Sequence, residues 1–215
     1  MPSTARLFED KDVSYLDDIL FQSNGYLRIL PFQDISKIPI NDLIIWCNRN
    51  GVYQIPTKEL IDWLSNLINN KVAIEICSGN GSIARGLGIV ATDSFMQTRP
   101  DIVKFYTSLH QKPIYPPTDV VKKEALDAVS FYKPDIVIGS FVTQLYQPGI
   151  TMEGSQFGVN ETKMLGMVNT YINIGNAITH KNKDILKFSH QEYRFPWLIS
   201  RAFQQEENVI WVWEK

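Results

Sequence analysis

Few of the side chains that build metal sites or disulfides occur in this sequence, which has two cysteines and three histidines in 215 residues. Cys47 and Cys77 lie in apolar stretches, and neither has another cysteine or a histidine at the spacing of metal ligands. We therefore expect no metal site. The low cysteine content is consistent with a reducing compartment.

Long apolar runs and excess charge are also missing. No run approaches the ~20 apolar residues that span a bilayer, and residues 1–12 contain no apolar signal-peptide core. The formal net charge is -2, whereas a domain that binds duplex nucleic acid usually carries a basic surface. The sequence therefore predicts a cytoplasmic protein with no membrane partner and no nucleic-acid partner.

Helical patterns dominate the first third of the chain. Residues 14–20 predict a short helix, Asn41 and Asp42 begin a second, and Thr57 is a good N-cap for a third. In the third, apolar residues recur at helical spacing as far as Ile68. Residues 1–70 are therefore predicted to form a helical N-terminal extension that caps the rest of the protein.

From residue 71 onward, short apolar runs alternate with helical segments. This alternation predicts an α/β fold, a doubly wound and mostly parallel seven-stranded sheet, within residues 71–215. The last two predicted strands, residues 188–195 and 208–213, are joined by a short connection at 197–203 that we expect to be helical. Such a short connection permits an antiparallel strand at the sheet edge.

The most informative motif is the run at residues 73–81, an apolar strand that contains Glu75 and leads into a glycine-rich turn. Gly79 and Gly81 allow the backbone to approach a ligand closely, and the helix that follows begins with free N–H groups. This run resembles the first signature of class I S-adenosylmethionine-dependent methyltransferases. The resemblance implies a Rossmann-like fold and S-adenosylmethionine as cofactor, with the methionine amino end at Glu75. It implies further that the cofactor lies against the turn, namely Cys77, Gly79, Asn80 and Gly81.

Further predicted cofactor contacts follow from the same resemblance. Asp93 ends the next strand, where the family has an acid that binds both ribose hydroxyls, and a carboxylate offers two acceptor oxygens to a diol. Glu124 and Ala125 fit the place of the residues that hold the adenine edge, with Asp119 as a competing choice. Ser140 ends the fourth strand, at the sheet edge where α/β proteins bind ligands.

Two other interpretations stay open at this stage. The pattern Gly79-x-Gly81-x-x-Ala84 also matches the turn of NAD(P)-binding oxidoreductases, although these place their acid about 20 residues further on. Asp93 comes sooner than that, and Glu75 inside the first strand also favours the methyltransferase. Alternatively, the chain binds S-adenosylmethionine or S-adenosylhomocysteine without catalysing transfer.

The methyl acceptor is not identified by the sequence. Amino-group methyltransferases have Asn or Asp followed by two prolines and an aromatic residue after the fourth strand, and here the run 140–143 is Ser-Phe-Val-Thr. This difference argues against nucleic-acid N-methylation and favours a small-molecule acceptor. The oligomeric state is not indicated.

Side chains that could act on the acceptor are few. We name His180, His190 and Thr143 as possible catalytic residues and Tyr53 as a possible lid over the cofactor. Ordinary structural roles compete with each: a solvated loop for His180, an exposed edge strand for His190, and packing of the N-terminal segment for Tyr53. No activating base accompanies Cys77, which we expect to be packed rather than nucleophilic.

Overall fold

The computed structural model describes residues 11–108 and 111–215, so predictions for residues 1–10 lie outside the described part. Seven strands form one sheet in the order β3-β2-β1-β4-β5-β7-β6. Strand β7 is antiparallel to both of its neighbours, and the remaining pairs are parallel. The predicted α/β fold is thus confirmed, including the antiparallel pairing at the edge that β6 and β7 form. The strands are β1 Ala73–Ile76, β2 Val90–Asp93, β3 Val120–Lys122, β4 Ile136–Ser140, β5 Thr170–Asn176, β6 Gln191–Tyr193 and β7 Asn208–Glu214.

Helices precede and connect these strands. Four of those described come before β1 and four lie between β1 and β5. They are α1 Asp17–Leu20, α2 Phe32–Ile35, α3 Ile40–Asn50, α4 Lys58–Ile68, α5 Ser82–Leu87, α6 Pro100–Ser108, α7 Ala125–Tyr132 and α8 Glu161–Leu165. No helix in the described ranges is long and apolar enough to cross a membrane.

Both faces of the sheet are buried. Side chains of successive strand residues point to opposite sides, so the strands contribute to two cores. On one face, β1 and β5 contribute Ile74 and Tyr171 to a core that includes residues of α7 and α8. On the other face, Ile138 and Ile172 pack with α4 and with Ile83 of α5. Parallel strands buried in this way are nearly continuous apolar runs, which is why the sequence identified them.

The N-terminal segment has a core of its own, which includes Trp46 and Leu43 of α3. Helix α4 belongs to the sheet domain by its packing, because its buried residues Leu60, Ile61 and Leu64 lie in the same cluster as the strands. Thr57 caps this helix as predicted, accepting a hydrogen bond from the Leu60 N–H at 3.2 Å. A division of the chain at residue 70 stays a prediction.

The predicted helical connection at residues 197–203 is wrong. The segment is irregular and pairs with residues 53–57: the Ile55 N–H donates to the Ile199 carbonyl at 2.9 Å, and the Arg201 N–H to the Tyr53 carbonyl at 3.1 Å. Polar side chains satisfy the backbone groups that a helix would have paired, since Asn208 donates to the Leu198 carbonyl and Gln205 to the Ser200 carbonyl. This segment therefore joins the N-terminal part to the end of the sheet.

Candidate functional site

The turn after β1 is built from residues with left-handed backbone conformation. Gly79 has a φ of 53° and Gly81 a φ of 67°, and Cys77 adopts a φ of 50° although it carries a side chain. At Gly81 a Cβ atom would lie 2.9 Å from Val120 Cγ2, so a larger residue there would collide with β3. A glycine would adopt the backbone conformation of Cys77 without the strain that a side chain brings.

Glu75 lies buried under this turn, with its side chain at the beginning of α5. One carboxylate oxygen accepts a hydrogen bond from the Ala84 N–H at 2.8 Å. Burial is the main cause that raises the pKa of Glu75 to about 8; the Ala84 hydrogen bond opposes that rise, and the nearby Asp93 adds to it. A buried carboxylate in this position has a strong electrostatic preference for a positively charged ligand.

Asp93 is at the end of β2, beside Glu75. Its two carboxylate oxygens accept hydrogen bonds from the Gly79 N–H at 3.0 Å and the Phe95 N–H at 2.7 Å. Burial raises the pKa of Asp93, and both hydrogen bonds oppose that rise. Because each carboxylate oxygen has two lone pairs, these backbone bonds leave acceptor capacity for a diol.

A cavity of about 450 Å³, the first cavity, opens at the carboxyl ends of β1, β2 and β4. Two hydroxyl oxygens of residues that line it, Ser78 Oγ and Ser140 Oγ, are buried and have no hydrogen-bond partner among the described residues. A polar ligand would satisfy them. Six of the predicted cofactor residues line this cavity, together with Tyr53 and Thr143: Glu75, Cys77, Gly79, Asn80, Asp93 and Ser140.

The remaining predicted cofactor residues lie outside the lining. Gly81 shapes the turn from behind, and Glu124 and Ala125 form the N-cap and first residue of α7. Asp119, the competing choice, is engaged by Arg85, which donates to both of its oxygens at 2.8 and 3.0 Å. At this end the wall comes from other residues, Ser94, Met96, Gln97, Ile114 and Pro116. The adenine assignment of Glu124 and Ala125 stays a prediction.

A second cavity of about 500 Å³ adjoins the first. Tyr53, Tyr106, Phe141 and Thr143 line both cavities. Burial, the charge of Tyr53 and a side-chain hydrogen bond with Tyr53 all raise the pKa of Tyr106. Tyr53 and Tyr106 therefore stand together at the boundary between the two spaces.

His180 lines the second cavity and is buried, so the expectation of a solvated loop is wrong. Its ring packs against Phe141 and Trp211, and the Asn176 N–H donates to Nδ1 at 3.1 Å. Burial, and then the charge of Lys183, lowers the pKa of His180 to about 3. The imidazole is therefore neutral near pH 7 and too weak a base for efficient proton abstraction.

His190 is in a different part of the molecule. It precedes β6, packs against Trp213 with a ring-centroid distance of 5.3 Å, and contacts the Phe188 carbonyl and Glu192. Among the described residues it lines neither cavity. The structure gives it the role of an edge residue rather than that of a catalytic base.

A buried ion pair lies behind the second cavity. Lys183 Nζ is 2.7 Å from Glu161 Oε1, which also accepts a hydrogen bond from the Tyr171 hydroxyl at 2.7 Å. Lys183 donates a further bond to the Val142 carbonyl at 2.9 Å. The pair thus fixes the chain directly after Phe141, whose φ is 53°.

Burial raises the pKa of the Cys77 thiol, consistent with a packed residue.

Some cavity residues were not anticipated from the sequence. They include Arg201, Tyr106 and Ser78, of which the first two lie far from any recognised motif. Only Ser78 had a local signal, because it stands inside the glycine-rich turn. Arg201 and Tyr106 reach the site through tertiary packing.

Comparisons with known proteins give similarities of structure alone. No protein-family model matches the chain, and no curated protein matches it. A Thermoplasma acidophilum protein of solved structure is 17% identical with a TM-score of 0.38, and the match covers 82% of this chain and 97% of that one. An rRNA methylase from Streptococcus thermophilus is 12% identical with a TM-score of 0.39, covering 72% and 93%.

A third similar structure is that of the Pyrococcus abyssi tRNA (uracil-54, C5)-methyltransferase in complex with S-adenosyl-L-homocysteine. It is 11% identical with a TM-score of 0.35, and the match covers 72% of this chain and 36% of that one. At this level the likeness concerns the fold, and no statement about the function of this chain rests on it.

Proposed function

We propose that this protein is an S-adenosylmethionine-dependent methyltransferase that acts on a small-molecule acceptor. The observation that supports it most is the first cavity, where two carboxylates, the buried Glu75 and the half-buried Asp93, face a glycine-rich turn at the carboxyl ends of β1 and β2. The sequence motif assigns these two residues to the methionine and ribose parts of the cofactor, and they lie in one cavity.

The charge of the cofactor suits this cavity. S-adenosylmethionine carries a sulfonium and an ammonium group, and burial raises the pKa of both Glu75 and Asp93. A cation that enters the cavity would stabilise the ionised carboxylate of Glu75. The buried hydroxyls of Ser78 and Ser140 add donors and acceptors for the polar parts of the ligand.

The same geometry disfavours a nicotinamide dinucleotide. In dinucleotide-binding folds the pyrophosphate occupies the N–H groups at the beginning of the first helix. Here Glu75 already accepts the Ala84 N–H, and Asn80 Oδ1 accepts the Ser82 N–H at 3.0 Å. A pyrophosphate would meet a carboxylate in place of free donors.

The second cavity supports methyl transfer over passive binding of the cofactor, because it offers space for an acceptor directly beside the first. When bound at Glu75 and Asp93, S-adenosylmethionine would supply an electrophilic methyl group for an acceptor lone pair, and the carbon–sulfur bonding pair would remain with the sulfur. Acceleration then comes from alignment and exclusion of water. Phe141 and Tyr53, which line both cavities, would perform that alignment, and Tyr53 would act as the predicted lid. In this scheme the 1–70 segment caps the site.

The test is thermal unfolding of the protein with S-adenosylmethionine, S-adenosylhomocysteine, NAD or NADP. A ligand at a hundred times its dissociation constant stabilises the native state by ~2.7 kcal/mol, which raises the midpoint by roughly 5–10 °C at this chain length. We expect that shift with the two S-adenosyl compounds alone. A shift with NAD or NADP alone, or with none of the four, would refute the proposal.

Acceptor screening follows from a positive result. With labelled S-adenosylmethionine, we expect methyl incorporation into a small molecule and none into total RNA or DNA. Incorporation into nucleic acid would show that the acceptor class is wrong while leaving the methyltransferase activity intact. Cofactor binding with no incorporation into any acceptor would favour a non-catalytic binding protein.

A further inference from the structure

One cation in the second cavity has no carboxylate partner in the part of the chain that the structure describes. Arg201 lines this cavity and lies over the Tyr53 ring, with its guanidinium carbon 3.4 Å from the ring centroid. Within residues 11–108 and 111–215 it forms no ion pair. Lys183, the other cation of the lining, is bound to Glu161 at 2.7 Å.

The backbone around Arg201 is held in place by several hydrogen bonds. Its own N–H donates to the Tyr53 carbonyl. On either side, the Ser200 N–H donates to Gln205 Oε1, and the Ala202 N–H donates to Ser200 Oγ. The Ser200 hydroxyl is in turn bonded to the buried Asn208 at 2.8 Å. A guanidinium on such a support is pre-organised, so less entropy is lost when it binds a ligand.

Four aromatic side chains share the rest of the wall with polar residues, among them Thr143, Gln144, Thr179 and Asn182. Tyr53, Phe105, Tyr106 and Phe141 line the cavity. Glu153, the acid among the lining residues, is exposed on a loop and is not paired with Arg201. The volume of about 500 Å³ lies within the range of small-molecule sites.

We propose that the second cavity recognises an acceptor by an anionic group, a carboxylate or a phosphate, which Arg201 binds, while the aromatic wall holds a ring-containing body. The planar fork of a guanidinium donates two parallel hydrogen bonds to either anion. The faces of the aromatic side chains would stack on the ring of such an acceptor. The identification of the ligand as a methyl acceptor rests on the proposed function. The anion site itself exists whether or not methyl transfer occurs.

The experiment measures binding of matched ring compounds to the full chain by nuclear magnetic resonance titration. The probes are benzoate, phenyl phosphate and their neutral counterparts benzamide and benzyl alcohol, extended to a panel of larger rings with the same four groups. Each titration is run with and without saturating S-adenosylhomocysteine. We expect the anionic members to bind about 10-fold to 100-fold more tightly than the neutral ones, as for charge-assisted hydrogen bonds.

Variants assign that difference to one side chain. Arg201→Gln should abolish the preference for anions, and Arg201→Lys should restore part of it because the charge is kept and the fork is lost. Arg194→Gln is the matched control, since Arg194 is exposed and pairs with Glu207 on the far edge of the sheet. The carboxylate and phosphate arms show which anion is preferred.

Three outcomes would overturn the inference: equal binding of neutral and anionic probes, an anion preference that survives Arg201→Gln, or no binding of any anionic member. Affinity for S-adenosylhomocysteine is measured separately, and it should be the same in the control variant Arg194→Gln as in the wild type. If the wild type does not bind S-adenosylhomocysteine, the proposed function is refuted. The probe titrations without S-adenosylhomocysteine still decide whether the anion site exists.

Discussion

The two cavities adjoin, yet their charges are opposite. The first contains the carboxylates of the buried Glu75 and the half-buried Asp93, whereas the second contains Arg201 without an ion-pair partner in the described ranges. One space therefore favours a cation and the other an anion. Tyr53 and Phe141 line both cavities. The two spaces on either side of this boundary therefore distinguish their ligands by charge as well as by shape.

The largest effect that tests this division is expected from Asp93→Ala. The change removes the acceptor assigned to the ribose hydroxyls, and it also removes the partner of the Gly79 and Phe95 N–H groups. Loss of two charge-assisted hydrogen bonds should lower affinity for S-adenosylhomocysteine about 100-fold or more. Calorimetric titration measures it, with Asp62→Ala as control, because Asp62 is an exposed acid on α4.

Binding of benzoate to the second cavity should be unchanged in Asp93→Ala. An equal loss in both titrations would mean that the two cavities unfold or shift together. Wild-type affinity for S-adenosylhomocysteine in this variant would remove the ribose assignment altogether.

A smaller, pH-dependent effect is expected from Glu75→Gln. Burial raises the pKa of Glu75 from 4.5 to about 8, so the folded state binds more protons than the unfolded chain between those values. The stability that Glu75 contributes is fully present below pH 4.5 and is lost as the pH rises through 8. The variant should therefore gain stability relative to the wild type as the pH rises across this window, by about 2 kcal/mol or more.

The same substitution should weaken cofactor binding. A cation bound beside Glu75 favours its ionised form, so the wild type should release close to one proton on binding S-adenosylhomocysteine at pH 6.5, and Glu75→Gln none from this site. Calorimetry in two buffers with different ionisation enthalpies measures that release. Equal proton release by both proteins would show that Glu75 does not face the cofactor cation.

A third comparison concerns the strained turn. Cys77 has a φ of 50°, so Cys77→Gly relieves backbone strain while losing the packing of a small side chain. Cys77→Ala loses packing and keeps the strain. We expect the glycine variant to be more stable than the alanine variant by about 1 kcal/mol, the reverse of the usual order. Chemical unfolding measures both, and a more stable alanine variant would contradict the role assigned to the turn.

The smallest expected effect concerns His180, whose imidazole chemical shifts should stay constant in a pH titration. Burial lowers its pKa to about 3, so its imidazole signals should not move between pH 5 and pH 8 in a nuclear magnetic resonance experiment. His180→Phe identifies the signal. A midpoint inside that interval would restore His180 as a general base for the second cavity.

The two cavities also differ in how far the sequence could predict them. The first is made mostly from one stretch, because strand β1, its turn and the end of β2 follow one another, and residues close in sequence remain close in space. Its glycines and acids therefore form a readable motif. The wall that includes Ile114 was missed because the proline-bearing residues around it have no periodic pattern.

The second cavity has no such local signal. It combines residues near 53, 106, 141, 180 and 201, which are brought together only by packing. Arg201 lies in a segment predicted to be helical, and its true conformation depends on Gln205 and Asn208 side chains that replace helical hydrogen bonds. Sequence periodicity carries no information about such replacement, whereas it predicted the buried strands well.

The pairing of residues 53–57 with 197–201 has a consequence for the order in which the protein forms during synthesis. Thr57 caps α4 and also donates to the Trp197 carbonyl at 3.1 Å, across a separation of 140 residues. The lining of the first cavity ends at Val159, so all of its residues are synthesised before those of the 197–201 segment. The second needs Arg201 and the strand beyond it. A ribosome therefore synthesises the last residue of the first cavity about 40 residues before Arg201 of the second.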